Sequence, residues 1–319
     1  MTKRRTTVGL GAFRPYSVFG LGTVVVDHMV EVDRFPERDT KNEVGEHWFQ
    51  VGGPVPTALA VVRRLGGRAT FQGKWAPDHL GALIEEDLRA EGIGFDPPRC
   101  EADSQTGFAH VWVERATGRR TSVFHRGSHE IQRSEIEVAG LARNDALHLD
   151  GWSTGSAIAA AKAMRSRGGT VVLDLGSPKE RLNELLAVVD VVNCPLRCVE
   201  RVMGETDPIK GALKLLAAGP QMATVTNGEN GAWLVSGERR LQLPATTVEA
   251  VDTNGAGDTF CGALIHGLMQ GWDEAFLLRF ASAAAALKCG RKGNREALPT
   301  VDEIRVGLES GDAVQAVEL

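Results

Sequence analysis

Short β-branched runs alternate along the chain with longer stretches of helical period, an order that specifies a parallel sheet covered by helices. The runs that read as strands are SVFGLGTVVVD (17–27), RATFQGK (68–74), DALHLD (145–150), TVVLDL (170–175), VVDVVN (188–193) and MATVTNG (222–228). Between them PTALAVVRRLG, HLGALIEEDLRAEG, TGSAIAAAKAMRSRG, ERLNELLAV and PIKGALKLLAAG place apolar residues at helical spacing. The first three close on a glycine, the usual left-handed helix stop.

Two segments break the rhythm. Residues 29–50, MVEVDRFPERDTKNEVGEHWFQ, and 104–126, SQTGFAHVWVERATGRRTSVFHR, read as extended chain, the second with a hairpin turn at ATGRR. Both leave the α/β core in the first half of the chain, so they are expected to assemble into one small β flap over the sheet. Such a flap cannot bury both faces by itself and should close over a ligand or pair with a second copy. The last residues, ESGDAVQAVEL, read as a loosely held tail.

Composition narrows the function classes. With 319 residues, 43% of them hydrophobic, the chain can bury the core of one large domain, and its formal charge of −5 lacks the basic surplus of a nucleic-acid or anionic-lipid binder. No run approaches the roughly 20 apolar residues of a membrane span, and MTKRRTTVGLGAFRPYS lacks the apolar core of a signal peptide. The 5 cysteines are an odd number without a disulfide rhythm, so a reducing cytoplasm is expected, with Cys194 and Cys198 as buried thiols and no zinc site.

The chemistry centres on DTNGAGDTF, residues 252–260. Small residues leading directly into a helix expose unpaired amides at the positive end of its dipole, a natural cradle for phosphate. Asp258 stands in that cradle. A carboxylate repels phosphate and is useful there only if it takes a proton, as when a substrate hydroxyl attacks a phosphoryl group. The FGLGTVVVD stretch lacks the third glycine and the distal acid of a dinucleotide fingerprint, which argues against a dehydrogenase.

VDTNGAGDTFCGAL closely resembles the C-terminal signature of the ribokinase/PfkB family of carbohydrate kinases, and GGPVPTALAVVRRLGGRATFQGKWAPDHLGALIEEDLRAEGI resembles its N-terminal signature. The resemblance runs from Val18 to about Pro299. It implies a ribokinase-like three-layer α/β/α fold with a mostly parallel sheet and a small β-strand lid, and an ATP- and Mg²⁺-dependent kinase acting on a primary hydroxyl of a furanose-type or ketose sugar. It further implies Asp258 as the base, the amides of Gly255, Ala256 and Gly257 as the anion hole, and sugar contacts from Asp27, Gly52 and Gly53. Thr226, Gly228 and Gly231 match the nucleotide strand and turn, and ASAAAALKCGRKGNREALP matches the loop against adenine. Asp252 and Asn254 match the start of a monovalent-cation (K⁺) site, and a homodimer through the lid is expected.

The chain also departs from the family pattern. Thr57 stands where many relatives carry a sugar-contacting Asn, and NCPL replaces a polar N-x-x-E element, leaving Asn193 without its acid. GGPVPTALA with AAALKCGRKG looks most like the branch containing sulfofructose kinases, and Lys41 matches a lid lysine there. GWST after Asp150 lacks that branch's arginine, which removes support for a sulfonate. Lys41, Arg119, Arg120 and Arg126 remain lid cations for an anionic sugar substituent, with a solvated hairpin face explaining Arg119 and Arg120 equally well. The alternatives are a nucleoside kinase, with Trp48, Phe108 and Trp112 available to stack on a base, and a non-catalytic sugar- or nucleotide-binding protein.

Overall fold

The structure, a computed structural model, describes residues 13–98, 100, 103–116, 120–127, 130–309 and 314–319. In chain order its elements are β1 (Ser17–Leu21), β2 (Val25–Val32), β3 (His47–Gly52), α1 (Pro54–Arg64), β4 (Arg68–Gln72), α2 (His79–Ala90), β5 (Gly94–Phe95), β6 (Phe108–Glu114) and β7 (Arg120–His125). There follow α3 (Val138–Leu141), β8 (Ala146–Leu149), α4 (Thr154–Arg165), β9 (Thr170–Asp174), α5 (Leu182–Leu186), β10 (Val191–Pro195), α6 (Leu196–Met203) and α7 (Pro208–Ala217). The chain ends with β11 (Met222–Thr226), β12 (Ala232–Ser236), β13 (Arg239–Leu243), α8 (Ala256–Gln270), α9 (Glu274–Cys289), α10 (Val301–Glu309) and β14 (Val317–Glu318).

Strand β1 is buried along its whole length, and its neighbouring side chains enter different cores, Val18 one and Phe19 and Leu21 the other. Successive strand residues point to opposite faces, so an apolar run without alternation needs cover on both sides. Helices α1, α2, α8, α9 and α10 supply one cover, and α3 to α7 the other. The result is three layers around a ten-stranded sheet ordered β14-β13-β12-β11-β10-β9-β8-β1-β4-β5. The pairs from β11 across to β5 are parallel, while β12, β13 and β14 add antiparallel strands at one edge.

The chain builds outward from β1 through β4 to β5, then returns and builds the other way from β8. The strand order therefore reverses between β1 and β8, where an open α/β sheet presents its ligand crevice at the strands' C-terminal ends. Gly22 and Asp150 meet there, so closely that a Cβ at 22 would lie 2.8 Å from the Asp150 carboxylate.

The two extended segments do meet. They form a four-stranded sheet, β3-β2-β6-β7, in which β2 runs parallel to β6 although they are far apart in sequence. The first predicted strand is in fact two: the chain breaks at Gly22–Val24, so Asp27 lies within β2 of the lid rather than at the end of β1. Residues 33–46 contain no strand, and part of the ATGRR turn, with Arg119, lies outside the described residues. Helix α6 and strands β12 and β13 are additions to the sequence reading.

Candidate active site

Helix α8 begins at Ala256 after Gly255, whose φ of 74° is left-handed and costs a glycine little. No side chain caps this terminus. Among the described residues the amides of Gly255, Gly257 and Asp258 make no hydrogen bond, whereas Ala256 N–H donates to the Thr253 carbonyl at 3.3 Å. The open amides at this terminus are thus those of Gly255, Gly257 and Asp258, while that of Ala256 is engaged through a long bond. A Cβ at Gly257 would meet nothing within 4 Å, so this side of the loop is open to a ligand.

Asp258 lies in the first turn of α8, crowded by protein with a small part of its surface still reaching solvent. Burial pushes its carboxyl up to about 6, the nearby charge of Asp27 adds to the rise, and Arg295 and Arg120 pull against it. Asp27 is also raised to about 6 by burial, offset by Gln50, Arg120, Asn254 and Arg295. Two carboxylates and two arginines therefore share one electrostatic neighbourhood. Gly52 follows from the same geometry, since a Cβ there would lie 2.6 Å from Asp27 Oδ2. Gly53, at φ 105°, would collide with the Thr23 carbonyl if it carried one.

Thr57 does not present itself to a ligand. It is fully buried, and its hydroxyl accepts from Arg295 Nη1 at 2.9 Å and lies 3.4 Å from Asn294 Nδ2. The Arg295 guanidinium reaches back to Asp87 Oδ2 through Nε and Nη2, at 3.2 and 3.1 Å. Thr57 is thus a bracket for the 294–295 pair, two residues that the sequence reading passed over inside GRKGNREALP.

The lid meets the body through cations. Arg120 donates to Asn254 Oδ1 at the anion loop, and Lys292 bridges Glu31 at 2.9 Å and Glu46 at 2.6 Å while covering the Trp48 ring. Lys41 is exposed and makes no hydrogen bond or ion pair among the described residues. Arg126 is exposed and packs against aromatic faces, 4.2 Å from the Trp152 ring centre and 4.7 Å from that of Phe124. Among the described hairpin residues, Arg120 acts on both carboxylates.

On the side of β9 and β10, Asn193 is buried with both ends of its amide engaged: Nδ2 donates to Asp174 Oδ1 at 3.2 Å and Oδ1 accepts from Thr224 at 2.8 Å. Its partner Asp174, on the adjacent strand β9, is raised well above the usual range by burial and by Asp258. Thr226 ends β11, and Gly228 opens the following turn with no atom within 4 Å of its missing side chain. Gly231 is required by packing, because a Cβ there would lie 2.2 Å from the Leu243 carbonyl.

The residues expected to hold a monovalent cation do not fit one. The Asp252 carbonyl accepts from Lys288 Nζ at 2.8 Å, its Oδ1 from the Asn254 amide at 2.8 Å, and its Oδ2 from the Gly293 amide at 3.2 Å. Asn254 Oδ1 is taken by Arg120. A lysine ammonium already stands where the ion was expected. Among the described residues no group of three His, Cys, Asp or Glu side chains is arranged to hold a metal. A separate cavity of about 440 Å³, among Arg165, Thr170, Asp190 and Gln221, lies at the N-terminal ends of β9, β10 and β11 and contains none of these site residues.

An unpaired-amide cradle with a carboxylate in its first turn, at the crevice of a doubly covered sheet, defines a phosphoryl-transfer site. Residues 21–301 match the pfkB family of carbohydrate kinases, and the chain belongs to that family. It is similar to ketohexokinase of Mus musculus, 25% identical over 86% of this chain and 96% of that protein. It is likewise similar to ribokinase of Haemophilus influenzae, 25% identical over 91% of this chain and 97% of the relative. Among solved structures, Arabidopsis thaliana ribokinase, complexed with ribose and ATP, superposes with a TM-score of 0.81 at 26% identity, covering 93% of this chain and 100% of that one. The protein is a ribokinase-like carbohydrate kinase. The finer likeness to sulfofructose kinases is not carried into the assignment, because Gly151 and Trp152 follow Asp150 where that branch has its arginine.

Proposed function

We propose that this kinase transfers the γ-phosphoryl group of ATP to a primary hydroxyl of a furanose-type or ketose sugar. The observation that carries the reading is the placement of Asp258 beside the open amides of Gly255, Gly257 and its own backbone. Asp258 takes the proton of the attacking hydroxyl while the amides and the α8 dipole hold the transferred group. A carboxyl near 6 is ionised at neutral pH yet basic enough to accept that proton. Asp27, with the close-packed backbone of Gly52 and Gly53, orients the sugar, and a primary hydroxyl projects furthest from a ring held there. Thr226, Gly228 and Gly231 border the nucleotide. Asp174, fixed by Asn193, would be the carboxylate offered to a Mg²⁺ bound with ATP, which would supply shielding of the phosphate charge.

The nucleoside alternative loses its stacking platform. Phe108 and Trp112 pair with Val26 and Val30, not with Asp27, and so lie on the lid face away from the site. The Trp48 ring is covered by Lys292.

Two further elements complete the proposal. The outer lid face exposes Phe49 and Val123, with His28 stacked on Phe49 at 4.5 Å, and a second copy of the chain covers it in a homodimer. All 5 cysteines are free and no described helix is long and apolar enough to cross a membrane, which supports a cytoplasmic enzyme. The experiment is ADP release from ATP and Mg²⁺ with a panel of ketoses, pentoses and nucleosides. Release with ribose or a ketose is expected, and release confined to nucleosides contradicts the sugar assignment.

A further inference from the structure

Two buried polar atoms at the site have no partner: Gln50 Nε2 and Asn294 Oδ1. Amide ends are interchangeable in shape, but here each is fixed by its other half. Gln50 Oε1 accepts from the Trp48 indole N–H at 3.2 Å, which leaves Nε2 as a donor beside the Asp27 carboxyl, whose ionised form it favours without closing a full hydrogen bond to it. Asn294 Nδ2 donates to the Val51 carbonyl at 2.7 Å, which leaves Oδ1 as an unspent acceptor. A buried polar atom without a partner costs stability unless something supplies one.

Gln50 neighbours Asp27, and Asn294 neighbours the loop that leads to Asp258. Gln50 is the cross-strand partner of Asp27, on the same lid face. Asn294 Oδ1 lies 2.8 Å from where a Cβ of Gly255 would sit, so it abuts the anion loop that leads to Asp258. We infer that Gln50 and Asn294 are sugar-contacting residues of this kinase, each reading one hydroxyl of the acceptor. The inference rests on the sugar-kinase reading and adds the pattern of the substrate's hydroxyls.

The chemistry of each spot is specific. Near Asp27 one hydroxyl is held from both sides: the carboxylate accepts its proton in a hydrogen bond and Gln50 Nε2 donates to its oxygen. Near the anion loop Asn294 offers only an acceptor, so the group facing it must be an O–H, not a ring ether or an anionic oxygen. Asn294 thereby brings to the site, from the loop after α9, the amide that relatives carry on the helix where this chain has Thr57. Thr57 and the Val51 carbonyl hold it in place. A site built to bond a hydroxyl rejects an analogue that lacks it, because its own buried group is then left unpaired.

The test uses the full-length enzyme with D-ribose and D-fructose and their monodeoxy derivatives. Gln50→Met and Asn294→Leu keep size and remove one polar end each. Each is expected to lose roughly 3- to 10-fold in kcat/KM for the intact sugar, with the KM for ATP unchanged, as for one neutral hydrogen bond. The decisive readout is the cycle: one deoxy sugar that the wild type discriminates against should be discriminated no further by the matching variant. Calorimetric titration of the same sugars beside a non-hydrolysable ATP analogue gives the same comparison without turnover, and retained analogue binding shows that the variant is folded. Wild-type discrimination among all deoxy sugars in both variants overturns the inference while leaving the kinase assignment intact. Failure of the wild type to phosphorylate or bind any sugar overturns that assignment instead.

Discussion

The ammonium of Lys288 donates to the main-chain oxygen of Asp252 at 2.8 Å and stands 3.4 Å from its carboxylate, with none of the lysine side chain exposed. Burial lowers the Lys288 pKa and Asp252 opposes the fall, so the foot of the anion loop holds a lysine matched by a carboxylate, a pair without net charge. Turnover is therefore expected to be the same in K⁺ and in tetramethylammonium buffers at equal ionic strength. Lys288→Met is expected to lose activity and to regain part of it with added K⁺. Strong K⁺ activation of the wild type would show that a cation binds elsewhere.

The shared neighbourhood of Asp258 and Asp27 sets the acid limb of the pH profile. Because burial raises the Asp258 carboxyl to about 6, the base becomes protonated as pH falls through that value, and kcat/KM should fall below it. The limb belongs to both carboxyls together. Arg295→Met removes the first of the charges that favour ionisation, so its limb should move to higher pH. Asp27→Asn removes a repelling charge and should move it to lower pH, at reduced activity. A limb that stays in place in both variants would mean that another group titrates.

Arg120 of the lid joins Asn254 of the anion loop across the cleft. Arg120→Ala should raise the KM for sugar more than it lowers kcat, by about threefold to tenfold, a modest effect because an exposed cation is screened by water. Lys41→Ala should change neither, since Lys41 is exposed and makes no hydrogen bond or ion pair among the described residues. Equal losses in both variants would indicate a general field of lid charge rather than a directed contact.

The lid face bearing Phe49 and Val123 carries His28, His47 and His110 in mutual contact, with His28 held below its usual pKa by burial and by the other two. A lowered His28 pKa favours its neutral ring, which suits a covered face, and its protonation would bring like charges together across two copies. Light scattering is expected to give a dimer near neutrality that weakens on acidification, and Phe49→Lys with Val123→Lys should give a monomer. A wild-type monomer at all pH values contradicts the lid-mediated dimer.

Much of the fold was legible because the sheet strands are buried on both faces and read as unbroken apolar runs. Asp258 and its loop were legible because helix-terminal chemistry is local. Contacts made across distant segments were not. The roles of Thr57, Asn294 and Arg295 exist only once the loop after α9 packs on α1, some 237 residues away in sequence for the Thr57–Asn294 pair. Asp174 meets Asn193 from a neighbouring strand, which no local motif can signal. The β1–β2 break was hidden because TVVVD continues the β-branched pattern of SVFGLG, although β2 belongs to another sheet. Lys288 looked like an ordinary helix-end cation, and its burial is a tertiary fact.

The most direct test of the central claim is single-turnover phosphorylation by Asp258→Asn, with ATP binding measured alongside. The amide keeps the shape of the side chain and the anion cradle, so binding of ATP should be retained while turnover falls by about 10² to 10⁴, the range for loss of a positioned base. Near-normal turnover in a variant that binds ATP normally would contradict Asp258 as the group that takes the sugar's proton.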